Sequence, residues 1–167
     1  KDKEKIAIAV GLGAVKYNDL KENRLSDISF DWDKMLDFSG DSAPYLQYTY
    51  ARLKSILRKA RKKTMKNERW TMNAIKLLES EIEFALIRKL AEFPETIRRS
   101  TENLTTNNIA KYLYELANLA NKFYESTPVL TDENKSRRNA RIILIDSVTS
   151  VMKNGLGLLG IKTPEKI

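Results

Sequence analysis

Apolar positions recur along most of this chain at steps of three and four residues, the spacing that gathers side chains on one face of an α-helix. Leu46, Tyr50, Leu53, Leu57 and Ala60 make one such stripe, in a helix that begins near Tyr45. A second predicted helix carries Ile75, Leu78, Ile82, Ala85 and Leu86 and ends before Phe93-Pro94. The third begins at Pro94, with Glu95 near its positive end and Arg98 and Arg99 toward its negative end, as the helix dipole favours. Thr105 or Thr106 caps the fourth, whose stripe is Ile109, Leu113, Leu116, Ala120 and Phe123 and whose stop is Thr127-Pro128. The fifth begins near Asp132. Its run from Ile142 to Ile145, with Val148, Val151 and Met152, is apolar on more than one side, which predicts the most buried helix of a bundle. Gly155, Gly157 and Gly160 are expected to stop it and lead into the tail from Lys162 to Ile167.

The pattern before residue 45 is different. Ile6 to Leu20 is apolar and Ala-rich with Gly11 and Gly13 inside, which fits a helix loosened by glycine or one pressed closely against another backbone. Asp27 to Trp32 alternates, Ile28, Phe30 and Trp32 on one side and Ser29 and Asp31 on the other, so it suits a short strand or extended segment. Ser39-Gly40-Asp41-Ser42 is a cluster of breakers. Ser42 can cap the helix that follows, and Pro44 is tolerated in its first turn, where no intrahelical donor is needed. A boundary near residue 40 follows, and the fold class is all-α: a bundle of about five main helices over residues 41–167, preceded by a short separate piece, 1–40.

Composition narrows the chemistry. Hydrophobic residues make up 42% of the 167 and there are only six Gly and four Pro, which argues for a real core and against disorder. No stretch approaches the roughly 20 apolar residues of a membrane span, so a soluble protein is expected. The chain opens at Lys1 without Met, which suggests a piece of something longer. It has no Cys and no His, which excludes disulfides and thiolate sites and removes the commonest general base and metal ligand. Lys and Arg outnumber Asp and Glu by 30 to 22, and the excess is concentrated between Lys54 and Lys66. Arg58, Lys59, Arg61, Lys62 and Lys63 there fit either diffuse attraction for a polyanion or a solvated helix face.

No enzyme constellation emerges, and neither catalytic nor metal-binding residues are assigned. Glu79, Glu81 and Glu83 alternate along one helix, which scatters them around it, and they read as solvated. Gly11-Leu12-Gly13 lacks a third glycine and a preceding strand, so it is a poor phosphate loop. More informative is the start of the residue 45 helix. Advancing ~100° per residue puts Tyr45, Tyr48 and Arg52 on one stripe, rotated away from the Leu46 to Leu57 face. Aromatic planes and a guanidinium suit unpaired RNA bases, which stack on rings and are read on their edges. The same stripe also fits packing against a neighbouring helix, hydroxyls outward. Tyr124, beside the stripe of the fourth helix, reads as a core aromatic with a wet hydroxyl, and Trp32 and Trp70 as packing anchors.

A family resemblance adds to these patterns. Val10-Gly11-Leu12-Gly13-Ala14-Val15-Lys16-Tyr17-Asn18-Asp19-Leu20, then Phe30-Asp31-Trp32-Asp33-Lys34-Met35-Leu36, then Gly40-Asp41-Ser42-Ala43-Pro44-Tyr45-Leu46-Gln47-Tyr48-Thr49-Tyr50-Ala51-Arg52 follow in order. Leu113-Tyr114-Glu115-Leu116-Ala117, Phe123-Tyr124-Glu125 and Lys153-Asn154-Gly155-Leu156-Gly157-Leu158-Leu159-Gly160-Ile161 continue the series. In that order and spacing they resemble the C-terminal part of arginyl-tRNA synthetases, class I enzymes. The resemblance implies that residues from about 41 form the anticodon-binding helical bundle and residues 1–40 the trailing end of a catalytic region. It implies a parent enzyme, an arginine-tRNA ligase, that joins arginine to tRNA-Arg in the cytoplasm using ATP and magnesium; the sequence leaves the oligomeric state open, and a monomer is the default expectation.

By the same resemblance Tyr45, Tyr48, Arg52 and Tyr124 match positions around the anticodon loop. The family's last residue, often Met, also approaches the anticodon, and here that place falls to Ile167 after Pro164-Glu165-Lys166. The class's His-Ile-Gly-His-like and Lys-Met-Ser-Lys-like ATP motifs are missing, so these 167 residues alone are expected to be inactive and to hold no cofactor. Two other readings stand beside this one: a free-standing module that binds a protein through the Tyr45 to Arg52 face, and a portion of an intact enzyme whose ATP motifs lie upstream.

Overall fold

The computed structural model describes residues 2–63 and 75–167, the side chains of 61–63 excepted. Among the described residues the regular elements are all helices: α1 (Asp2–Lys21), α2 (Trp32–Met35), α3 (Ala43–Lys63), α4 (Glu81–Ala91), α5 (Phe93–Asn103), α6 (Asn107–Ser126) and α7 (Lys135–Leu158). No helix among them is long and apolar enough to cross a membrane.

The stripes predict the core well. Leu46, Leu53, Leu57 and Ala60 of α3 meet Ile109, Leu113, Leu116, Ala120 and Phe123 of α6 and Ile142, Leu144, Ile145, Val148 and Met152 of α7 in one buried cluster. α6 is the hub, in contact with α1, α3, α4, α5 and α7. α7 is buried on several sides, as its apolar run requires, and all four residues from Ile142 to Ile145 are inside. Gly155 is no stop signal. It lies within α7, where a Cβ would come within 2.7 Å of Leu113 Cδ2, so its missing side chain lets α6 and α7 approach. The stop is Gly160, whose φ of +66° is readily adopted only without a side chain.

Three local expectations change. Ile75 and Leu78 precede α4, because Ser80 starts it: its hydroxyl accepts from Glu83 N while the Glu83 carboxylate accepts from Ser80 N, a reciprocal capping box. Of the two forms open to Asp27 to Trp32, no strand is made: 27–31 lies outside any regular element with Asp31 extended, and Asp31 caps the single turn of α2, which begins at Trp32, through Asp33 N and Lys34 N. Thr106 stands at the N-cap of α6, but its hydroxyl donates instead to Leu20 O at the end of α1. Ser42 does cap α3, accepting from Tyr45 N at 3.2 Å.

α1 is pressed against α3 and α6, which accounts for Gly13: a Cβ there would meet Gln47 Nε2 at 2.9 Å. Fully buried Tyr17 of α1 donates to Asp41 Oδ1 at 2.7 Å and Ala110 O at 3.2 Å, and burial drives its phenol pKa far above the ordinary value. α1 therefore shares the bundle's core through Tyr17 and Leu20. Trp32 packs edge-on against Phe30 but is 59% exposed, so it anchors nothing, and Trp70 lies outside the described residues.

Candidate nucleic-acid interface

Helix α3 carries Tyr48 and Arg52 one turn apart, and the C-terminal end of α6 brings Tyr124 beside them. Arg52 sits between the rings, its guanidinium carbon 4.8 Å from the Tyr48 centroid and 5.4 Å from that of Tyr124, within range for cation–π attraction. Nη1 donates to Asn121 Oδ1 at 3.1 Å and Nη2 makes a long 3.4 Å contact with the Tyr48 hydroxyl. Every one of these partners is neutral. Among the described residues no carboxylate forms a salt bridge with Arg52, so its charge and the remaining donors of its fork are available to a ligand.

Tyr48 is 39% and Tyr124 43% exposed, so both rings stand clear of the core. For Tyr124 this corrects the expectation of a core aromatic. The interior place belongs to Phe123, three residues beyond Ala120 on the buried stripe, and the next residue turns outward. Tyr45 moves the other way. It is half-buried against the core, its hydroxyl donating to Asn118 Oδ1 at 2.6 Å and accepting from Asn121 Nδ2 at 2.9 Å, its ring edge-on to Tyr114. The expected stripe of three thus divides, with Tyr48 and Arg52 facing outward and Tyr45 forming the support behind them.

That support escaped the sequence reading. Asn121 accepts from Arg52 with its oxygen and donates to Tyr45 and, at 3.0 Å, to Thr49, so its amide is committed on both sides. A polar residue facing inward from α6, next to Ala117 and Ala120, was the available signal, because buried amides need partners.

Tyr48, Arg52, Arg58, Tyr124, Glu125, Lys166 and Ile167 line an open groove of about 640 Å³. The tail reaches it by a series of ties. Ile161 is buried, Gln47 Nε2 donates to Lys162 O at 2.7 Å, Arg58 donates to Glu165 O at 2.8 Å, and Lys54 pairs with the Glu165 carboxylate at 3.1 Å. The bond from Lys54 holds that carboxyl below the usual range. Ile167 is thereby part of the groove wall. Of the basic run, Arg58 lies in the groove, Lys59 is exposed on α3, and the side chains of Arg61, Lys62 and Lys63 lie outside the described residues.

Away from the groove residues, the acidic row resolves differently from expectation at Glu83. Glu83, expected to be solvated, is fully buried. Its carboxylate accepts from Arg141 Nε at 2.6 Å and from the backbone N–H groups of Glu79 and Ser80. Arg141 also donates to Asp132 Oδ2 at 2.6 Å, and Arg137 binds Asp132 with both fork nitrogens. Burial alone would raise the Glu83 carboxyl, but the Ser80 N–H and Arg141 outweigh it and hold it below the ordinary value. Arg137 does the same for Asp132. The pattern Ser80-x-x-Glu83 was the overlooked sign.

Comparison with known proteins follows the same residues. Residues 46–167 match the DALR anticodon binding domain. The chain is 41% identical over 166 residues to an arginine–tRNA ligase of Halothermothrix orenii, spanning 99% of this chain and 28% of that protein. It is 43% identical over 164 residues to one of Escherichia coli, again covering 28% of the relative. The arginyl-tRNA synthetase structure from Thermus thermophilus superposes with a TM-score of 0.88 at 34% identity, over the whole of this chain and 28% of that one. That from Plasmodium falciparum does so with a TM-score of 0.81 at 29% identity, over 98% and 28%. The chain thus spans little more than a quarter of the curated relatives it matches.

Proposed function

The chain belongs to the DALR anticodon-binding domain family, and we propose from this that it is the part of an arginine–tRNA ligase that grips the anticodon loop of tRNA-Arg. The observation that carries the reading is the setting of Arg52: a guanidinium held in place by an amide and two phenol rings, to which no carboxylate among the described residues is paired, although Glu125 and Glu165 also line the groove. A site meant only to hold helices together has no use for an uncompensated cation at its mouth. An unpaired loop supplies what is missing, bases for the rings of Tyr48 and Tyr124 and a phosphate or base edge for Arg52. Ile167 closes one wall with an apolar tip. Tyr45 acts from behind, fixing Asn121 and through it the orientation of Arg52. Arg58 and Lys59 add attraction without sequence preference.

In this reading the parent is a cytoplasmic enzyme whose ATP- and magnesium-dependent chemistry belongs to residues outside this chain, and residues 1–40 are the trailing end of its catalytic region. The bundle's task is positional: by holding the anticodon loop it sets where the acceptor end of the tRNA lies. Titration of the chain with tRNA-Arg transcripts tests this. Tighter binding to the native anticodon loop than to altered loops is expected, and equal affinity for every loop, with all binding lost at moderate salt, would overturn it.

A further inference from the structure

The Tyr48 ring has a second aromatic neighbour. Phe38 stands at right angles to it with centroids 6.3 Å apart, and half of the Phe38 side chain is exposed. A single exposed phenylalanine is ordinary on a protein surface. This one is unusual in how firmly it is mounted. Asp37 Oδ1 accepts from Ser39 N at 2.8 Å and Ser39 Oγ at 2.7 Å, and Ser42 Oγ donates to Asp37 O. Two residues further on, Asp41 is held by Tyr17 and Lys21 of α1. An aromatic ring is thus displayed on a pinned loop beside the groove, with the ordering of its backbone already accomplished in the free protein.

We propose that Phe38 extends the stacking surface past Tyr48 and holds one further unpaired nucleobase of the RNA. The inference rests on the groove's being the site for an anticodon loop. It adds a contact from residues 1–40, ahead of the family match at residue 46. The site's chemistry selects a planar aromatic ligand: Phe38 has no hydrogen-bonding group, so the subsite takes any base by its face and discriminates little by edge. Continuity argues for RNA as the occupant, since Tyr48 contacts both Arg52 in the groove and Phe38 outside it. A strand passing from one to the other keeps to one ridge of rings.

The test uses a tRNA-Arg anticodon stem–loop carrying a fluorescent adenine analogue at each unpaired position in turn, bound to the unaltered chain, Phe38→Leu, Phe38→Ala and Tyr48→Ala. Phe38→Leu keeps the apolar volume but removes the ring, and circular dichroism confirms that each variant is folded. Stacking at Phe38 predicts a loss of affinity of about five- to a hundred-fold and recovery of fluorescence at one loop position other than that affected by Tyr48→Ala. If Phe38→Leu binds within a factor of about two and quenches every position, the inference is overturned. It is equally overturned if the affected position is the one that Tyr48→Ala affects, which would make Phe38 a prop for Tyr48. Absence of any loop-dependent binding by the unaltered chain overturns the underlying assignment of the groove.

Discussion

Arg141 and Arg52 carry the same side chain in opposite company. Arg141, 9% exposed, lies between two buried carboxylates, Glu83 and Asp132, each at 2.6 Å, and its charge is fully answered inside the protein. Arg52 lies at the lip of a groove among an amide and two phenol rings, and no described carboxylate forms a salt bridge with it. The first joins α4, the segment before α7 and α7 itself, and burial makes any missing partner costly. The second is oriented but not neutralised, which is the condition for binding an anion or a polar base edge from outside. A cation that is paired holds structure; one that is placed but unpaired awaits a ligand.

The contrast can be broken from either side. Glu83→Ala removes the capping box and one of two carboxylates from Arg141, and is expected to cost about 3 kcal/mol or more of stability in chemical denaturation. RNA affinity of the folded fraction should be unchanged. Tyr48→Ala and Arg52→Ala are expected to do the reverse, each weakening loop RNA by about 1–3 kcal/mol while shifting stability by no more than about 1 kcal/mol. An Arg52→Ala protein that unfolds as readily as Glu83→Ala would place Arg52 with the structural arginine.

Acid separates the two regions more gently. The Glu83 and Asp132 carboxyls are held below their ordinary values, so their contribution is complete above the unfolded-state values of about 4.3 and 3.9 and is lost as pH falls through the lower folded-state values. The unfolding midpoint should be flat from neutral pH to about 5 and drop below about 4. In Glu83→Gln the drop should be shallower. A midpoint that falls equally in both proteins would remove Glu83 from the account.

How much of this was legible from the sequence depends on how local the signal is. Stripes such as Leu46 to Ala60 and Ile109 to Phe123 specify which helix faces meet, because burial follows the helical period over many residues. The period also decides between neighbours: Phe123 falls on the buried stripe and Tyr124 just off it, although both are aromatic. Glu83 was missed because its partner Arg141 is 58 positions away, and no local pattern reports that distance; only the capping box at Ser80 could have hinted at burial. Tyr45 was misplaced because the turn it shares with Tyr48 faces Asn118 and Asn121 on α6, a packing detail that the α3 pattern alone does not contain. The tail's route into the groove was equally hidden. It depends on Gln47, which no helical stripe singles out, and on Lys54 and Arg58, which belong to a basic run that fits a solvated helix face.

The difference between the two arginines can be abolished with a single atom type. Asn121→Asp puts a carboxylate where the amide oxygen now accepts from Arg52, giving it the kind of partner that Arg141 has. The decisive measurement is the affinity of this variant for the tRNA-Arg anticodon stem–loop as a function of salt. The expected result is weaker binding, a salt slope reduced by about one phosphate contact, and a folded protein whose native-loop preference is diminished. Binding as tight as that of the unaltered chain, with the same salt slope and the same loop preference, would show that the free charge of Arg52 is not what the RNA meets.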